Sequence, residues 1–307
     1  MLPTLKSRSW RQLAFAAGLA LAPFAAQAQT FPARPITLIV PFAAGGAADT
    51  TGRIMAEALG RVLKQTVVVE NIGGAGGAIG VTRVKNAAPD GYTIGLGHTG
   101  TQAAAVTTTP KIQHNPRVDF AYLGLVASTP NVIFVRNDFP AKDLREFIAV
   151  ARQMQDKLTM GHSGNGAASH MTCLHFYGLI GVKPTYVPYR GFGQTVNDII
   201  GSKIDGSCDL VASVTGHVQG GSVRALVVAA KERAESVPNV PTAPEAGLPE
   251  FLGETWTGLF LPKGAPKEIF EALQAAIGTA LDDPEVKRKL VAIGVRVPGR
   301  CRRRSRR

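Results

Sequence analysis

Residues 36–53 read ITLIVPFAAGGAADTTGR: branched apolar residues, a glycine pair and then a stretch with helical spacing. The apolar run predicts a buried strand, and the stretch after the glycines predicts an amphipathic helix. Gly45 and Gly46 allow positive φ and can expose their N–H groups, while Asp49 or Thr50 follows where a helix N-cap belongs. Because the first N–H groups of a helix lack partners and carry partial positive charge, the loop predicts a site for a carboxylate, phosphate or sulfate. A merely structural turn is the alternative.

The same unit recurs about 120 residues later in the chain. Residues 158–181 read LTMGHSGNGAASHMTCLHFYGLIG, which again indicates a strand, a glycine loop and a helix. Short apolar strands alternate with helical stretches along most of the chain, and this pattern predicts an α/β fold with mostly parallel sheets. We therefore expect two α/β lobes, each of which presents one glycine loop to a shared cleft.

The first residues predict export from the cytoplasm. Lys6, Arg8 and Arg11 precede the apolar stretch LAFAAGLALAPFAA, and AQA follows at residues 26–28. A basic start, a short apolar run and an A-x-A motif are typical of a secretory signal peptide, cut here near Ala28. The apolar run is too short for a membrane-spanning helix. We expect the mature protein to reside in the periplasm.

The formal net charge of +12 is concentrated at the two ends of the chain. Nine of the 34 Lys and Arg residues fall in residues 1–28 and 299–307, which contain no acids, so 25 basic residues face 22 acidic ones between them. A nearly neutral body argues against a nucleic-acid partner. The terminal run RCRRRSRR resembles coding sequence read in a shifted frame. We interpret it as a frameshift that removed a last helix, with a genuine basic tail as the alternative.

The three cysteines, Cys173, Cys208 and Cys301, fit neither a disulfide scaffold nor a zinc site. Buried free thiols are the preferred interpretation for Cys173 and Cys208, and a bridge between them is the alternative.

Motifs for enzymatic chemistry do not develop into complete sites. GLGHTG at 95–100 matches the dinucleotide-binding pattern and has Asp119 about 20 residues later, but three consecutive threonines and two prolines occupy the stretch where the helix should run. A turn that lines the cleft is the preferred interpretation. Neither a P-loop nor a G-x-S-x-G elbow occurs in the sequence. The six histidines lack the spacing of metal ligands, and no pair of carboxylates suggests acid–base catalysis. The sequence predicts no enzyme, no cofactor and no metal.

A set of ordered motifs resembles the Bug-type solute-binding proteins of tripartite tricarboxylate transporters over about residues 30–298. These motifs are PFAAGGAADTTGR, VVVENIGGAGGAIG, NAAPDGYTIG, HSGNGAASH, VPYRG, VRALVVAAKER, VPNVPTAPEAGLPEF and WTGLFLPKGAP. The resemblance implies a type II periplasmic-binding-protein fold, a small carboxylate ligand (an organic acid or acidic amino acid) and delivery to integral-membrane permease subunits. We expect a monomer. A ligand-presenting accessory of a carboxylate-sensing system and a small-acid enzyme are the alternatives.

The resemblance also implies lobe boundaries and site residues. We assign the first lobe to 29–125, the second to 126–250, a return segment to 251–298 and the basic tail to 299–307. Asp209 falls where the family has an acidic residue near the distal end of the ligand, although a turn or helix-cap aspartate is an equal alternative. Ala167 stands where the family has Ser or Thr, so one hydroxyl contact is expected to be missing. The expected ligand-binding residues are Phe42, Ala44, Gly45, Gly46, Asp49, Thr50, Ser163, Gly164, Gly166, Tyr189 and Asp209.

Overall fold

The structure, a computed structural model, describes residues 31–108 and 112–297. The predicted signal peptide (1–28) and the Arg-rich tail (299–307) lie outside these ranges, so both stay predictions. The described residues from Arg34 on form one compact unit. Within the described ranges, no helix is both long and apolar enough to cross a membrane.

Nine strands form one continuous, mixed sheet. They are β1 (Ile36–Val40), β2 (Val67–Asn71), β3 (Thr93–His98), β4 (Phe120–Arg136), β5 (Thr159–His162), β6 (Thr185–Pro188), β7 (Gly206–Leu210), β8 (Val223–Val228) and β9 (Glu254–Pro262). The α-helices of the described residues are α1 (Ala47–Leu63), α2 (Ala78–Lys85), α3 (Ala105–Thr108), α4 (Leu144–Met154), α5 (Ala168–Ile180), α6 (Phe192–Ile200), α7 (Val211–Gln219), α8 (Lys267–Asp282) and α9 (Pro284–Ala292).

The strand order is β2-β1-β3-β9-β4-β7-β5-β6, and β8 also pairs with β4. The predicted parallel pairing occurs at both ends of this order, where β1 pairs with β2 and β3, and β5 pairs with β6 and β7. Strands β4 and β9 run antiparallel to their neighbours between these parts. We call the part around β1–β3 the first lobe and the part around β5–β7 the second lobe.

Strand β4 connects the two lobes. It pairs with β9 up to Pro130 and with β7 and β8 from Asn131 or Val132 on. The predicted lobe boundary at residue 125 lies inside this strand, and the chain returns to the first lobe through β9, just after the predicted boundary at residue 250. The assigned lobe limits stay a prediction.

Each lobe has a buried apolar core that fixes the strand ends. In the second lobe, Phe147, Phe176, Tyr177 and Phe251 are at most 1% exposed and pack into one cluster. Burial of a large apolar side chain contributes roughly 1.5–3 kcal/mol, so this cluster holds α4 and α5 firmly against β5 and β7.

The second-lobe core contains a disulfide between Cys173 on α5 and Cys208 on β7. The preferred interpretation of free thiols was therefore wrong, and the alternative, a bridge, is confirmed. Both sulfurs are fully buried, and the bridge ties the helix behind the second glycine loop to a neighbouring strand. Sequence separation alone could not show that these two elements are adjacent.

Candidate ligand-binding cleft

A cleft of about 380 Å³, measured with its open mouth, lies where the two glycine loops face each other. The first lobe contributes Phe42, Gly46, Ala47 and His98 to its lining. The second lobe contributes Ser163, Ala167, Ala168, Ser169, Phe192, Asp209, Leu210 and Ser213.

Four helices begin at this cleft, each after the carboxyl end of a parallel strand. Helix α1 follows β1, α5 follows β5, α6 follows β6 and α7 follows β7, and residues of all four N-termini line the cleft. The first N–H groups of each helix have no partner within the helix, and the helix dipole places partial positive charge there. The sequence predicted two such termini, and the structure brings four together around a cleft whose lining contains no lysine or arginine. Helix N-termini of this kind can bind an anion.

The first loop is held by a buried carboxylate. Helix α1 begins at Ala47 with Gly46 as its N-cap, so the predicted cap at Asp49 or Thr50 was wrong. Asp49 lies in the first turn instead, where its carboxylate accepts the Gly45 N–H at 3.0 Å. The same carboxylate accepts hydrogen bonds from Arg53 and Asn71. Burial raises the pKa of Asp49, but these donors together outweigh burial and hold it below its usual value.

Only one of the two glycines in the first loop takes the predicted positive φ. Gly45 has φ +91°, whereas Gly46 has φ −98° and an extended conformation. Positive φ at Gly45 turns the chain so that its N–H faces Asp49, which closes the loop on itself.

The second loop is held by neutral side chains. Ser163 N–H donates to the Ser169 hydroxyl at 2.9 Å, and Gly166 N–H donates to Nδ1 of His170 at 3.2 Å. Ala167 is the N-cap of α5 and offers no side-chain cap, in line with the expected missing hydroxyl. Ser169, two residues later, instead places a hydroxyl in the cleft lining.

Two histidines lie behind the second loop. The His162 and His170 rings stack with centroids 4.4 Å apart. His162 is fully buried, and neither of its ring nitrogens has a hydrogen-bond partner among the described residues. Burial, with a smaller effect from His170, lowers the pKa of His162 to about 4, so the ring is neutral near pH 7.

His98 lines the cleft from the first lobe, and sequence reasoning did not assign it to the site. Its ring stacks on Phe42, with centroids 4.9 Å apart. Nδ1 accepts the Gly100 N–H at 2.9 Å, so in the neutral ring the proton is on Nε2. Burial lowers the pKa of His98 to about 4, which makes the ring an uncharged donor. The GLGHTG motif was the available signal, but the predicted turn was wrong: residues 95–98 belong to β3 and a helical segment begins at Gly100, although His98 does line the cleft.

Asp209 ends strand β7 in the cleft wall. Its Oδ1 accepts the Leu210 N–H at 2.8 Å and the Ser213 hydroxyl at 2.7 Å. Burial raises the pKa of Asp209 to about 6, although hydrogen bonding by Ser213, Leu210 and Ser163 opposes the shift. Ser163 lies near the carboxyl group but makes no hydrogen bond of normal geometry with Oδ2.

The two lobes are in direct backbone contact beside the cleft. Ala43 N–H donates to the Arg190 carbonyl at 3.3 Å, and Ala47 N–H donates to the Ser213 hydroxyl at 3.1 Å. Glycines allow this approach: a Cβ on Gly76 would overlap the carbonyl oxygen of Asn165. We call this contact zone the glycine seam; its residues are Ala43, Gly73, Gly76, Gly100, Gly164, Gly166, Arg190 and Gly191.

The structure separates the predicted site residues into two groups. Those in the cleft lining are Phe42, Gly46, Ser163 and Asp209. The others lie beside or behind the loops: Tyr189 donates its hydroxyl to Asp198, and Thr50 donates to the Gly46 carbonyl. Members of this second group are Ala44, Gly45, Asp49, Thr50, Gly164, Gly166 and Tyr189. Within the described ranges, no group of three or more His, Cys, Asp or Glu side chains could hold a metal ion.

Residues 51–299 match the tripartite tricarboxylate transporter family receptor, and the chain belongs to this family. It is 38% identical over 273 residues to a protein from the TAR-I ttuE-ttuC' intergenic region of Agrobacterium vitis, covering 89% of this chain and 79% of that protein. Protein BugT of Bordetella pertussis is 32% identical over 268 residues, which cover 87% and 82% of the two chains.

Solved structures agree with this family and with the two-lobed fold. MatC from Rhodopseudomonas palustris with bound malate has 41% identity and a TM-score of 0.84, covering 87% of this chain and 91% of MatC. The periplasmic binding protein BugD has 36% identity and the same TM-score, covering 87% and 89%. The predicted Bug-type family and periplasmic-binding-protein fold are confirmed. The chain is a solute-binding receptor rather than an enzyme.

Proposed function

We propose that this chain is a periplasmic receptor that captures a small carboxylate between its two lobes. The observation that carries the proposal is the meeting of four helix N-termini in one cleft without a basic side chain in its lining. Hydrogen bonds to a charged group contribute about 1.5–3 kcal/mol each, so a few unpaired N–H groups offset much of the 4–15 kcal/mol estimated cost of association.

The relatives with carboxylates in their structures support this ligand class. Malate is bound in MatC, and adipate is bound in Rpa4515 of R. palustris, which has 29% identity and a TM-score of 0.84 over 88% of this chain and 90% of that one. In our proposal the Gly46 and Ala168 backbones and the Ser163 and Ser169 hydroxyls contact the carboxylate. Phe42 and His98 form the opposite wall, and the remaining predicted residues position the loops.

The proposal includes the cellular route. The chain is exported with a signal peptide cut near Ala28, acts as a monomer and hands its ligand to integral-membrane permease subunits of the tripartite tricarboxylate type. Uptake of labelled acid into proteoliposomes that hold the permease subunits should depend on added protein. Equal uptake without the protein would contradict this delivery role.

Calorimetry with matched acids and amides tests the carboxylate itself. We expect mono- and dicarboxylates to bind with submicromolar to micromolar Kd and their neutral amides to bind far more weakly, because only the acids carry the charge that the helix N-termini stabilise. Amides that bind as tightly as their acids would refute the proposed site.

A pair of variants tests how much the Gly46 N–H group contributes to ligand binding. Gly46→Pro and Gly46→Ala both add a Cβ, which lies 3.1 Å from Cβ of Phe192, but only proline removes the Gly46 N–H. Gly46→Pro should abolish binding, and Gly46→Ala should retain part of it. Equal loss in both variants would mean that packing against Phe192, rather than the N–H group, governs binding at this position.

Lobe closure is part of the proposal. A ligand that touches both lobes favours the closed arrangement through contacts that the open one lacks. Small-angle scattering should show a smaller radius of gyration with saturating ligand than without it, and an unchanged radius would contradict closure.

A further inference from the structure

We propose that His170 is a positioning residue of the second glycine loop and that its protonation loosens this loop and releases the ligand. This inference rests on the proposed function, because the loop that His170 holds contributes to the lining of the ligand cleft. His170 itself lies behind the loop and is not part of that lining.

Two stacked histidines hold both ends of the second glycine loop, residues 163–166. His162 directly precedes the loop, and its carbonyl accepts the Tyr189 N–H at 2.8 Å. At the other end, the Gly166 N–H donates to Nδ1 of His170 at 3.2 Å. The two rings stack with centroids 4.4 Å apart, so one pair of side chains joins the start of the loop to its end. We call His162 and His170 the histidine clip.

The loop between the clip residues faces both the cleft and the opposite lobe. Ser163 lines the cleft, and helix α5, with Ala168 and Ser169 in the lining, begins just after the loop. On the other side, a Cβ on Gly76 of the first lobe would overlap the Asn165 carbonyl oxygen. A shift of the loop would therefore change the donors offered to a ligand and the glycine seam together.

The hydrogen bond from Gly166 requires a neutral imidazole. Nδ1 of His170 accepts a hydrogen bond only while it carries no proton, and in the imidazolium both ring nitrogens are donors. Protonation would bring an N–H of His170 against the N–H of Gly166 and break this bond. Burial lowers the pKa of His170, so the ring is neutral near pH 7 and takes up a proton only below about pH 6.5.

The other titratable groups that face the histidine clip are tyrosines. The Tyr186 ring centroid lies 5.8 Å from that of His170 and 6.1 Å from that of His162, and Tyr177 packs against Tyr186. Burial raises the pKa of both tyrosines, so they are uncharged in the acidic range. Asp205 acts on the pKa of Tyr177, but no carboxylate of the described residues contributes to the pKa shifts of the two histidines. These surroundings therefore do not offset the bond that protonation breaks.

Ligand affinity should consequently fall as the pH falls. Binding uses the loop arrangement that neutral His170 holds, so affinity is fully present near pH 7 and is lost as the pH drops through the pKa of His170. Linkage requires the reciprocal effect, so bound ligand should lower the pKa of His170 further.

Calorimetry with malate and with adipate at pH 7.5 and pH 5 tests this dependence. In His170→Asn the amide oxygen can take the place of Nδ1 and accept the Gly166 N–H, but it does not titrate. His175→Asn is the matched control, because His175 is exposed on the same helix and contacts Phe251 instead. Titration of the ligand and of Asp209 is common to all three proteins and cancels in the comparison.

Between the two pH values, the affinity of the unaltered protein and of His175→Asn should fall about threefold to fivefold more than that of His170→Asn. This size corresponds to the loss of one neutral hydrogen bond that holds the loop.

Nuclear magnetic resonance of the ligand-free protein follows the histidine clip directly. The ring carbon resonances of His170 report its protonation, and the Gly166 amide resonance should move with the same midpoint, because it loses its acceptor. The Gly45 amide is the internal control. Its acceptor, Asp49, has a lowered pKa and stays ionised over this range, so the Gly45 resonance should move little.

The outcomes separate this inference from the proposed function. An equal fall in affinity in the unaltered protein and in His170→Asn would overturn the proposed release, and a Gly166 amide that does not follow the titration of His170 would overturn the clip. If neither acid binds more tightly than its diamide at pH 7.5, the proposed function fails instead. The ligand-free spectra need only the unaltered protein, so they decide on the clip even then, or if His170→Asn does not fold.

Discussion

The two loops that meet in the cleft share a sequence pattern and differ in what holds them. The first loop closes on the buried Asp49, which binds Gly45, Arg53 and Asn71. The second loop uses the neutral Ser169 and His170 side chains, and the helix that follows is tied to β7 by a disulfide. An anion site at a helix N-terminus requires a loop that is held in place while other N–H groups stay unpaired. This molecule holds one loop with a buried charge and the other with neutral side chains and a covalent link. Each loop should therefore respond to a different perturbation.

Removal of the disulfide should have the largest effect. Cys173→Ala combined with Cys208→Ala should lower the free energy of unfolding by about 3–4 kcal/mol, because the bridge closes a loop with a sequence separation of 35. Urea denaturation measures the loss. Amide exchange should accelerate in residues 163–180 and stay nearly unchanged in residues 41–53.

The same denaturation series with and without reductant on the unaltered protein provides the control, since reduction opens the bridge to two thiols without any substitution. A uniform acceleration of exchange in both loops would contradict the view that the bridge fixes the second loop alone.

Asp49→Asn should have the next largest effect, centred on the first loop. The amide has one acceptor oxygen for three converging donors, and its NH₂ group adds two donors of its own. We therefore expect the free energy of unfolding to fall by about 2–3 kcal/mol and ligand binding to weaken. Glu57→Gln is the control: it removes an exposed carboxylate on the same helix, paired with Arg61 and Lys289, and should change the free energy of unfolding far less than Asp49→Asn does. Similar losses in the two variants would mean that the buried carboxylate has no special role.

A lower pH should destabilise both lobes, because each contains a buried neutral histidine: His98 in the first lobe and His162 in the second. Both have a pKa of about 4 in the fold and a higher, ordinary pKa in the unfolded chain. The unfolded chain therefore binds more protons below pH 6.5, and stability is lost as the pH falls toward 4. From pH 7 to pH 5 each histidine should lower the free energy of unfolding by about 2 kcal/mol. Asp209 acts in the opposite direction, because its pKa is raised to about 6 in the fold, and it should add about 1 kcal/mol to the free energy of unfolding. Urea denaturation at the two pH values measures the net loss of roughly 2–3 kcal/mol.

The His162→Leu variant isolates the contribution of His162 to this pH dependence. It replaces a buried ring that has no hydrogen bonds among the described residues, so stability at pH 7 should change little while the loss at pH 5 shrinks by about 2 kcal/mol. An unchanged pH dependence in this variant would show that His162 is not buried neutral.

Ser169→Ala should have the smallest effect. It removes one neutral hydrogen bond to the Ser163 N–H, which corresponds to about 1 kcal/mol, and one hydroxyl from the cleft lining. Thr172→Val on the same helix is the control, since Thr172 is not part of the cleft lining and its hydroxyl makes a neutral hydrogen bond to a carbonyl rather than to an N–H group. If Ser169→Ala destabilises the protein more than Asp49→Asn does, the assigned difference between the loops is wrong.

Local patterns predicted the two strand–loop–helix units well. Alternating apolar strands and helical stretches identified β1, α1, β5 and α5 close to their observed ends, because each buries a face that its own sequence reveals. The termini of α6 and α7 at the cleft were missed, since a single glycine, Gly191, precedes α6 and Leu210 precedes α7, where the first two sites each have two glycines. Only the strand order places them there.

The other wrong predictions concern residues whose positions depend on partners distant in the sequence. Asp49 was expected as a cap or ligand contact, but Asn71, 22 residues away, and Arg53 determine where its carboxylate lies. The bridge between Cys173 and Cys208, like the stacking of His162 on His170, depends on which strand lies beside α5. Such neighbours are a property of the sheet, and a single sequence does not state them.

The glycine seam has a consequence for the time a ligand stays bound. Backbone atoms of the two lobes touch there, and the Ala43 N–H donates a hydrogen bond to the Arg190 carbonyl across the seam. With the lobe closure proposed above, release of a ligand requires these contacts to separate, whereas the approach of ligand to an open cleft does not involve them. We therefore expect the seam to influence the dissociation rate more than the association rate. At Gly100, where φ is ordinary, an added Cβ would lie 2.7 Å from the Ala168 nitrogen, so alanine there should shorten the residence time and leave the association rate nearly unchanged.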